Sequence, residues 1–260
     1  MQDKTKYNKI MIEEKILKLK SSKEDKFFVK KKDAITDFKF DDKVVKVFDD
    51  MVTRSVPYYA EIQRMTVELA ADFAKPNTNI YDIGCSTGTT MALFDEVVDK
   101  SVNFVGLDNS KEMLEKAKKK LSHCKRDVSL KFVDLNKSIK ISNASVATLI
   151  LTLQFVRPLY RDNVVQAIYD GLNKGGAFIL VEKVTSEDTM FNRLFIKHYY
   201  EYKQRNGYSE MEIKQKREAL ENVLIPYRME ENFDMLKKVG FKKIEVFFRW
   251  YNFCAIIAVK

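Results

Sequence analysis

The residues best suited by type and spacing to do chemistry begin at 79–88, N-I-Y-D-I-G-C-S-T-G. A short apolar run at 80–83 reads as a buried strand, stops at Gly84 and gives way to a helical pattern from Thr87. A strand that turns through glycine into a helix forms an anion and nucleotide site, because the first N–H groups of a helix have no partner within it. Gly84 would let a ligand approach the backbone, and Gly88 would let the helix pack close to the sheet. The same stretch is also an ordinary tight turn, since Ser86 stands where a G-x-G-x-x-G fingerprint has its second glycine. Asp108 sharpens the reading. It closes a second strand, 102–107, at the spacing from the turn where a carboxylate can accept hydrogen bonds from ribose hydroxyls. Its plainer role would be to cap the next helix. A third strand, 129–133, ends in Asp134-Leu135; an acid there can read an adenine amino group, and Leu135 can pack on the ring.

Alternating strands and helices must position these residues. Met91, Leu93, Phe94, Val97 and Val98 mark a first crossover helix, and 111–121 a second, capped by Ser110. The fourth strand, 146–153, leads into Gln154-Phe155-Val156-Arg157-Pro158, a loop where reacting groups often sit. A helix over 161–172 reaches Asn173-Lys174-Gly175-Gly176, whose two glycines are expected at positive φ before a fifth strand at 177–182. This alternation predicts a parallel sheet with right-handed crossovers. Two helices precede the first strand: one at 38–51, and one with Pro57 in its first turn and Ser55 near its cap that stops before Pro76. They could lie across the ligand crevice as a lid, with Tyr58 and Tyr59 at its edge. Helices at 190–206, 209–222 and 230–239 and strands at 243–248 and 253–259 complete the chain. That ending suits an antiparallel strand added to a parallel sheet, with the helical insert covering the crevice rather than forming a second domain.

The composition narrows the classes. The chain has 260 residues, 45% hydrophobic and 32% charged, with a net charge of +9 and three cysteines. It is long enough for a sizeable core. Its apolar run at 253–259 is too short to cross a bilayer, and the acid-and-lysine N-terminus does not suit a secretory signal. Three scattered cysteines do not suggest disulfides, and no metal-ligand spacing is present. A cytoplasmic protein is expected. The basic balance raises nucleic-acid binding, but the lysines are spread over helix faces beside acids, so direct tRNA binding is not expected. Residues 1–32 are lysine-rich and hold Ile10, Met11, Ile12, Ile16, Leu17 and Leu19, enough for one short amphipathic helix, followed by Lys30-Lys31-Lys32 as a solvated linker.

The glycine turn, the acids after strands two and three, and G-G before strand five together resemble a class I S-adenosylmethionine-dependent methyltransferase. That resemblance implies a Rossmann-like α/β fold: a mostly parallel seven-stranded sheet with an antiparallel C-terminal strand and a helical lid. Nicotinamide dehydrogenases share the first two features. A closer resemblance is to the carboxy-S-adenosyl-L-methionine synthase family. It is carried by F-D-D-K-V-V-K-V-F-D-D-M-V-T-R-S-V-P-Y-Y at 40–59, Y-D-I-G-C-S-T-G at 81–88, D-N-S at 108–110, L-T-L-Q-F at 151–155 and G-L-N-K-G-G-A at 171–177. N-G-Y-S-E at 206–210 and Q-K-R-x-x-L-E-N-V-L at 215–224 are more specific still. The domain division that follows is a lysine-rich extension at 1–37 and a Rossmann-like S-adenosylmethionine-binding catalytic domain at 38–260.

The resemblance implies that Tyr59 and Gly84, Cys85 and Ser86 contact the cofactor, that Asp108 and Asn109 hold the ribose and neighbouring adenosine, and that Asp134 and Leu135 take the adenine. It makes Arg217 the catalytic residue that pairs with the carboxylate added to the cofactor, a match that guanidinium makes in a two-pronged way. Without the surrounding motif, Arg217 reads as a solvated residue on a charged helix. The implied reaction converts S-adenosyl-L-methionine and prephenate to carboxy-S-adenosyl-L-methionine, phenylpyruvate and water. Carbon dioxide released from prephenate is captured by the sulfonium ylide formed at the cofactor's methyl carbon. The product supplies the 5-oxyacetic acid modification of the tRNA wobble uridine. The family is homodimeric. No general base is evident; His123, late in the second crossover helix, and His198 read as structural. The sequence departs from the family at Ile150, where an Asn is usual, and at Tyr58, where a small residue is usual. A contact through the Ile150 backbone would survive; one through an amide would not. Two other readings are an ordinary methyltransferase on a small molecule or tRNA, and a non-catalytic cofactor carrier or tRNA-binding module. The Q-K-R motif opposes the former, and only the basic arm favours the latter.

Overall fold

In this computed structural model, residues 24–30 and 35–260 are described. Strand β1 (Asn79–Ile83) is buried on both faces after its first residue. With a period of two, Ile80 enters one core cluster with Phe104 and Val146, while Tyr81 and Ile83 enter the opposite one with Val105 and Leu149. Such a strand is stable only between two helical layers. The chain supplies them from α1 (Asp42–Ser55), α2 (Tyr59–Phe73), α3 (Thr89–Val97), α4 (Lys111–Lys120) and α5 (Pro158–Gly171), then from α6 (Thr189–Arg205), α7 (Glu210–Leu220) and α8 (Met229–Val239).

The other strands are β2 (Asn103–Asp108), β3 (Val128–Phe132), β4 (Ala144–Ile150), β5 (Leu172–Thr185), β6 (Tyr227–Arg228), β7 (Lys243–Trp250) and β8 (Phe253–Val259). The main sheet has the order β3-β2-β1-β4-β5-β8-β7. Strands β1 to β5 pair in parallel, and β8 runs antiparallel to both β5 and β7. The two-residue β6 adds a parallel pairing at the end of β5. This is the doubly wound, mostly parallel fold expected from the alternation. Chain order reverses between β1 and β4, which opens a crevice at the carboxyl ends of the strands.

Local chemistry explains where the elements begin. The Asp41 carboxylate accepts the N–H groups of Lys43 and Val44 and so starts α1. Ser110 Oγ accepts Met113 N–H at 3.2 Å and caps α4, as its sequence suggested. Ser209 and Glu212 form a reciprocal capping box at the start of α7. Some expectations fail for local reasons. Ser55 is the last residue of α1, its hydroxyl turned back to the Met51 carbonyl. Pro57 therefore lies in the turn between helices, and α2 begins at Tyr59 after a left-handed Tyr58. Helix α3 starts at Thr89, two residues later than expected, and His123 lies beyond the end of α4. Of Gly175 and Gly176, only Gly175 has positive φ. Gly176 is needed for space, because a Cβ there would press on the carbonyls of Asn173 and Ser145 at 2.9 and 3.0 Å.

Part of the stretch read as an extension packs on the body. Phe28 is buried with Phe38, Val44, Val45, Met51, Met113 and Ala219, a cluster that joins the segment to α1, α4 and α7. Asp25 accepts a 2.7 Å hydrogen bond from the Tyr208 hydroxyl, and Arg54 donates to the Asp25 carbonyl at 2.8 Å. The amphipathic helix expected near residues 10–19 and most of the Lys30-Lys31-Lys32 linker lie outside the described residues.

Candidate active site

The crevice at the strand ends is a cavity of about 720 Å³. Its floor is the turn after β1. Gly84 and Cys85 N–H both donate to the Leu107 carbonyl, at 2.7 and 3.0 Å, and Gly88 N–H donates to the Cys85 carbonyl. Ser86 N–H donates to Asp108 Oδ2 at 2.9 Å. These donors close the turn itself and precede α3, which begins at Thr89. At the mouth of α3, Lys120 Nζ lies 2.9 Å from Thr87 Oγ1 and 2.7 Å from Thr89 Oγ1, and also pairs with Asp49. A lysine thus stands where a phosphate-binding turn would receive its anion.

The two glycines differ in role. Gly84 has φ +75°, and a Cβ on it would overlap the Thr152 side chain at the end of β4. Gly88 permits close approach of α4 rather than of the sheet: a Cβ there would meet Leu121 at 2.9 Å and Ala117 at 3.2 Å. Ser86 itself adopts φ +48°, so the position still requires the left-handed conformation that glycine would take freely.

Tyr59, Gly84, Cys85, Ser86, Asp108, Asn109, Leu135, Ile150 and Arg217 all line this cavity. Asp108 Oδ1 also accepts Ser110 N–H at 2.8 Å, which leaves outer lone pairs of the carboxylate facing the cavity. Burial raises its pKa against these backbone bonds. Asp134 is placed differently. Its side chain does not line the cavity; Oδ1 accepts the backbone and amide N–H groups of Asn136, at 3.0 and 3.1 Å, which lower its pKa. Asn136 stands at the wall instead, beside Leu135. The Cys85 thiol lies against Gly106 and is pushed up by burial, so it is an inert packing group. The Tyr59 hydroxyl is likewise raised by burial and by Asp49. Ile150 offers the cavity an aliphatic side chain, and its carbonyl accepts the Thr152 hydroxyl at 3.0 Å. His123 and His198 are not in the wall; His198 stacks on Tyr251 and bonds Glu201.

Sequence reading missed several wall residues. Asp82 is buried, its Oδ1 accepting the Thr148 hydroxyl at 2.8 Å and its Oδ2 without a partner. Burial pushes it up to about 7, and the Asp108 charge adds to the rise. Gln63, close to Tyr59, makes no hydrogen bond of good geometry. The same wall holds Lys183, Lys203, Lys216 and Arg217. Burial lowers Lys183 to about 8 and also lowers Lys203 well below the usual lysine range. It lowers Lys216 to about 8 against the pull of Asp25, 3.9 Å away. Arg217 is exposed and forms no ion pair among the described residues. The signal for Asp82 was its place in the strand leading to Gly84. The lysines carried none, because they sit in helices and strands already rich in charge.

The cavity wall therefore carries both unpaired acceptors and cations. A ligand with an ammonium, a sulfonium and carboxylates fits that distribution: Asp82 Oδ2 is a buried acceptor lacking a donor, and Arg217 is a donor lacking an acceptor.

Comparison with known proteins agrees with this geometry. The family described as "Methyltransferase domain" matches residues 80–176. A carboxy-S-adenosyl-L-methionine synthase of Methylococcus capsulatus is 55% identical over 239 residues, which cover 91% of this chain and 99% of the relative. One from Nautilia profundicola is 44% identical, covering 91% of this chain and all of the relative (100%). Among solved structures, the YcgJ protein of Bacillus subtilis superposes with a TM-score of 0.59 at 14% identity, covering 78% of this chain and 99% of that one. An O-methyltransferase family 2 protein of Planctomyces limnophilus in complex with apigenin gives 0.56 at 13% identity, over 77% of this chain and 57% of that one. At such identities the structures speak for the fold alone.

Proposed function

The chain belongs to the carboxy-S-adenosyl-L-methionine synthase family, and from that premise we propose how its own residues serve the activity and which acid it consumes. The enzyme uses S-adenosyl-L-methionine and makes its carboxylated form. The acid is prephenate, the second product is phenylpyruvate, and the carboxylated cofactor supplies the 5-oxyacetic acid modification of the tRNA wobble uridine without direct tRNA contact by this protein. The observation that carries the reading is Arg217, an unpaired guanidinium in the same cavity as the adenosine-facing Asp108.

Asp108 and Asn109 hold the ribose, Leu135 and Asn136 border the adenine, and Tyr59, Cys85 and Ser86 flank the cofactor along the turn. Asp134 acts through Asn136, whose amide it orients. Ile150 contributes its apolar face. The free oxygen of Asp82 accepts the amino group of the cofactor. When bound, the cofactor supplies a methyl group made acidic by the sulfonium, and the acid supplies carbon dioxide as its ring aromatises. The protein aligns the two, and the lid of α1, α2 and α7 keeps water from the reacting carbon. Arg217 holds the new carboxylate by a charge-assisted pair. Turnover of prephenate with the purified protein, followed by mass spectrometry, tests the reading.

The protein works as a cytoplasmic homodimer. Among the described residues no helix is long and apolar enough to cross a membrane. Met190, Phe191 and Leu194 on α6 and Tyr251 in the turn after β7 are exposed large apolar side chains, a patch suited to a second copy. Light scattering tests the dimer.

A further inference from the structure

At the far side of the cavity from Asp108, a half-buried lysine, Lys183, and a buried one, Lys203, face one aromatic ring. Lys183 Nζ lies 5.2 Å and Lys203 Nζ 4.4 Å from the centroid of Tyr199. All three residues line the cavity. Lys183 leaves the end of β5, which is three strands from β2 in the sheet, about 14 Å across at ordinary strand spacing. This is room for a second ligand beside the cofactor.

Neither ammonium has a carboxylate within ion-pair distance among the described residues. Asp25 pairs instead with Lys216, at 3.9 Å. The charges acting on Lys203 are those of Lys216 and Lys183, which repel it. Two like charges held on one ring, one of them buried, are costly, and the face of Tyr199 offsets only part of that cost. The arrangement is favourable once an anion lies between them.

This inference rests on the synthase reading of the site and deepens it. We propose that Lys183 and Lys203 form the seat for one carboxylate of the dicarboxylic acid co-substrate, the side-chain carboxylate that the acid keeps. The choice between its two carboxylates follows from the chemistry. The one released as carbon dioxide passes its electron pair into the ring, which aromatises as the ring hydroxyl leaves as hydroxide and takes up the cofactor's methyl proton to form water, so a cation that stabilises that carboxylate before the reaction raises the barrier. The retained carboxylate carries its charge unchanged throughout. A fixed pair of cations there anchors and orients the acid without opposing the bond cleavage. Arg217, next to Lys216 on α7, is left for the carboxylate formed on the cofactor.

The test uses the full-length protein with prephenate and S-adenosylmethionine. In Lys183→Met and Lys203→Met the KM for prephenate rises about tenfold or more, as expected for loss of a charged hydrogen bond. Cofactor affinity by calorimetry stays at the wild-type value. Thermal stability holds or rises, because methionine removes an unpaired buried charge. A lysine that served only packing would show the reverse, lower stability with unchanged KM. Lys237→Met, on the exposed face of α8, controls for net charge and leaves KM unchanged.

A measurement on the unaltered protein decides the matter even where a variant fails to fold. Phenylpyruvate, which keeps the side-chain carboxylate, competes with prephenate, whereas phenylacetone, which lacks it, does not. Equal inhibition by the two ketones, or an unchanged prephenate KM in both folded lysine variants, overturns the seat while leaving the synthase reading intact. Absence of any prephenate turnover by the wild-type protein instead removes the reading beneath it.

Discussion

The backbone N–H of Ser86 donates to Asp108 Oδ2 at 2.9 Å, joining two residues twenty-two positions apart. That bond ties the end of β2 to the turn after β1 and explains how a serine occupies a left-handed position that glycine usually fills. The conformation costs about 1–2 kcal/mol for an L-residue, and a charge-assisted bond to a buried carboxylate offsets a cost of that size. The same carboxylate is the group proposed to meet the ribose. Turn geometry and nucleoside recognition therefore depend on one side chain.

Asp108→Asn should weaken S-adenosylmethionine binding by about tenfold or more, because an amide cannot accept from both Ser86 and the ribose and turns its NH2 toward a donor. Ser86→Gly keeps the backbone donor and relieves the left-handed serine, so affinity should stay within about twofold of wild type. Isothermal calorimetry on both variants checks the pair. Full affinity in Asp108→Asn would remove the ribose role.

Arg217→Ala should retain S-adenosylmethionine binding and lose its preference for the carboxylated form by about tenfold or more. The residue is exposed and makes no ion pair among the described residues, so the variant should fold normally. An equal loss of affinity for both ligands would contradict its assignment to the added carboxylate.

The buried lysines give the apoprotein a pH signature. Lys183 is lowered to about 8 by burial, whereas an unfolded lysine titrates near 10.4. Between those values the unfolded chain binds the extra proton, so stability rises with pH through that window. The gain should amount to about 1–3 kcal/mol between pH 8 and 10. Urea midpoints of wild type and Lys183→Met at both pH values isolate the contribution, since the variant lacks it. A difference between the two proteins that does not change with pH would show that Lys183 stays charged in the fold.

Leu194→Glu should convert the proposed dimer to a monomer. It places a charge in the exposed patch of Met190, Phe191 and Tyr251 while leaving the cavity, lined from Tyr199 onward in this helix, untouched. Light scattering at micromolar protein reads the mass. A wild-type protein that is already monomeric would dispose of the dimer.

The sheet was legible because each strand is a short apolar run closed by glycine, acid or turn residues, and the order of the two acids located the crevice. Asp108 stood out because spacing alone marks it. Lys203 did not, because its pairing with Tyr199 is an i, i+4 contact in a helix crowded with charge, where every lysine looks solvated. The fate of the turn's N–H groups was also hidden. It is decided by the Leu107 carbonyl and the Asp108 carboxylate, which reach the turn only through the pairing of β1 with β2. The packing of residues 24–30 was hidden for the same reason, since the partners of Asp25 are Tyr208 and Arg54.

The most direct test of the proposed function is the mass of the nucleoside product after incubating the purified protein with S-adenosylmethionine and prephenate. The expected species is heavier than S-adenosylmethionine by one carbon dioxide and appears in step with phenylpyruvate. Recovery of unmodified cofactor with prephenate unconsumed, or of a demethylated nucleoside alone, would contradict the carboxylation chemistry and leave an ordinary methyltransferase in its place.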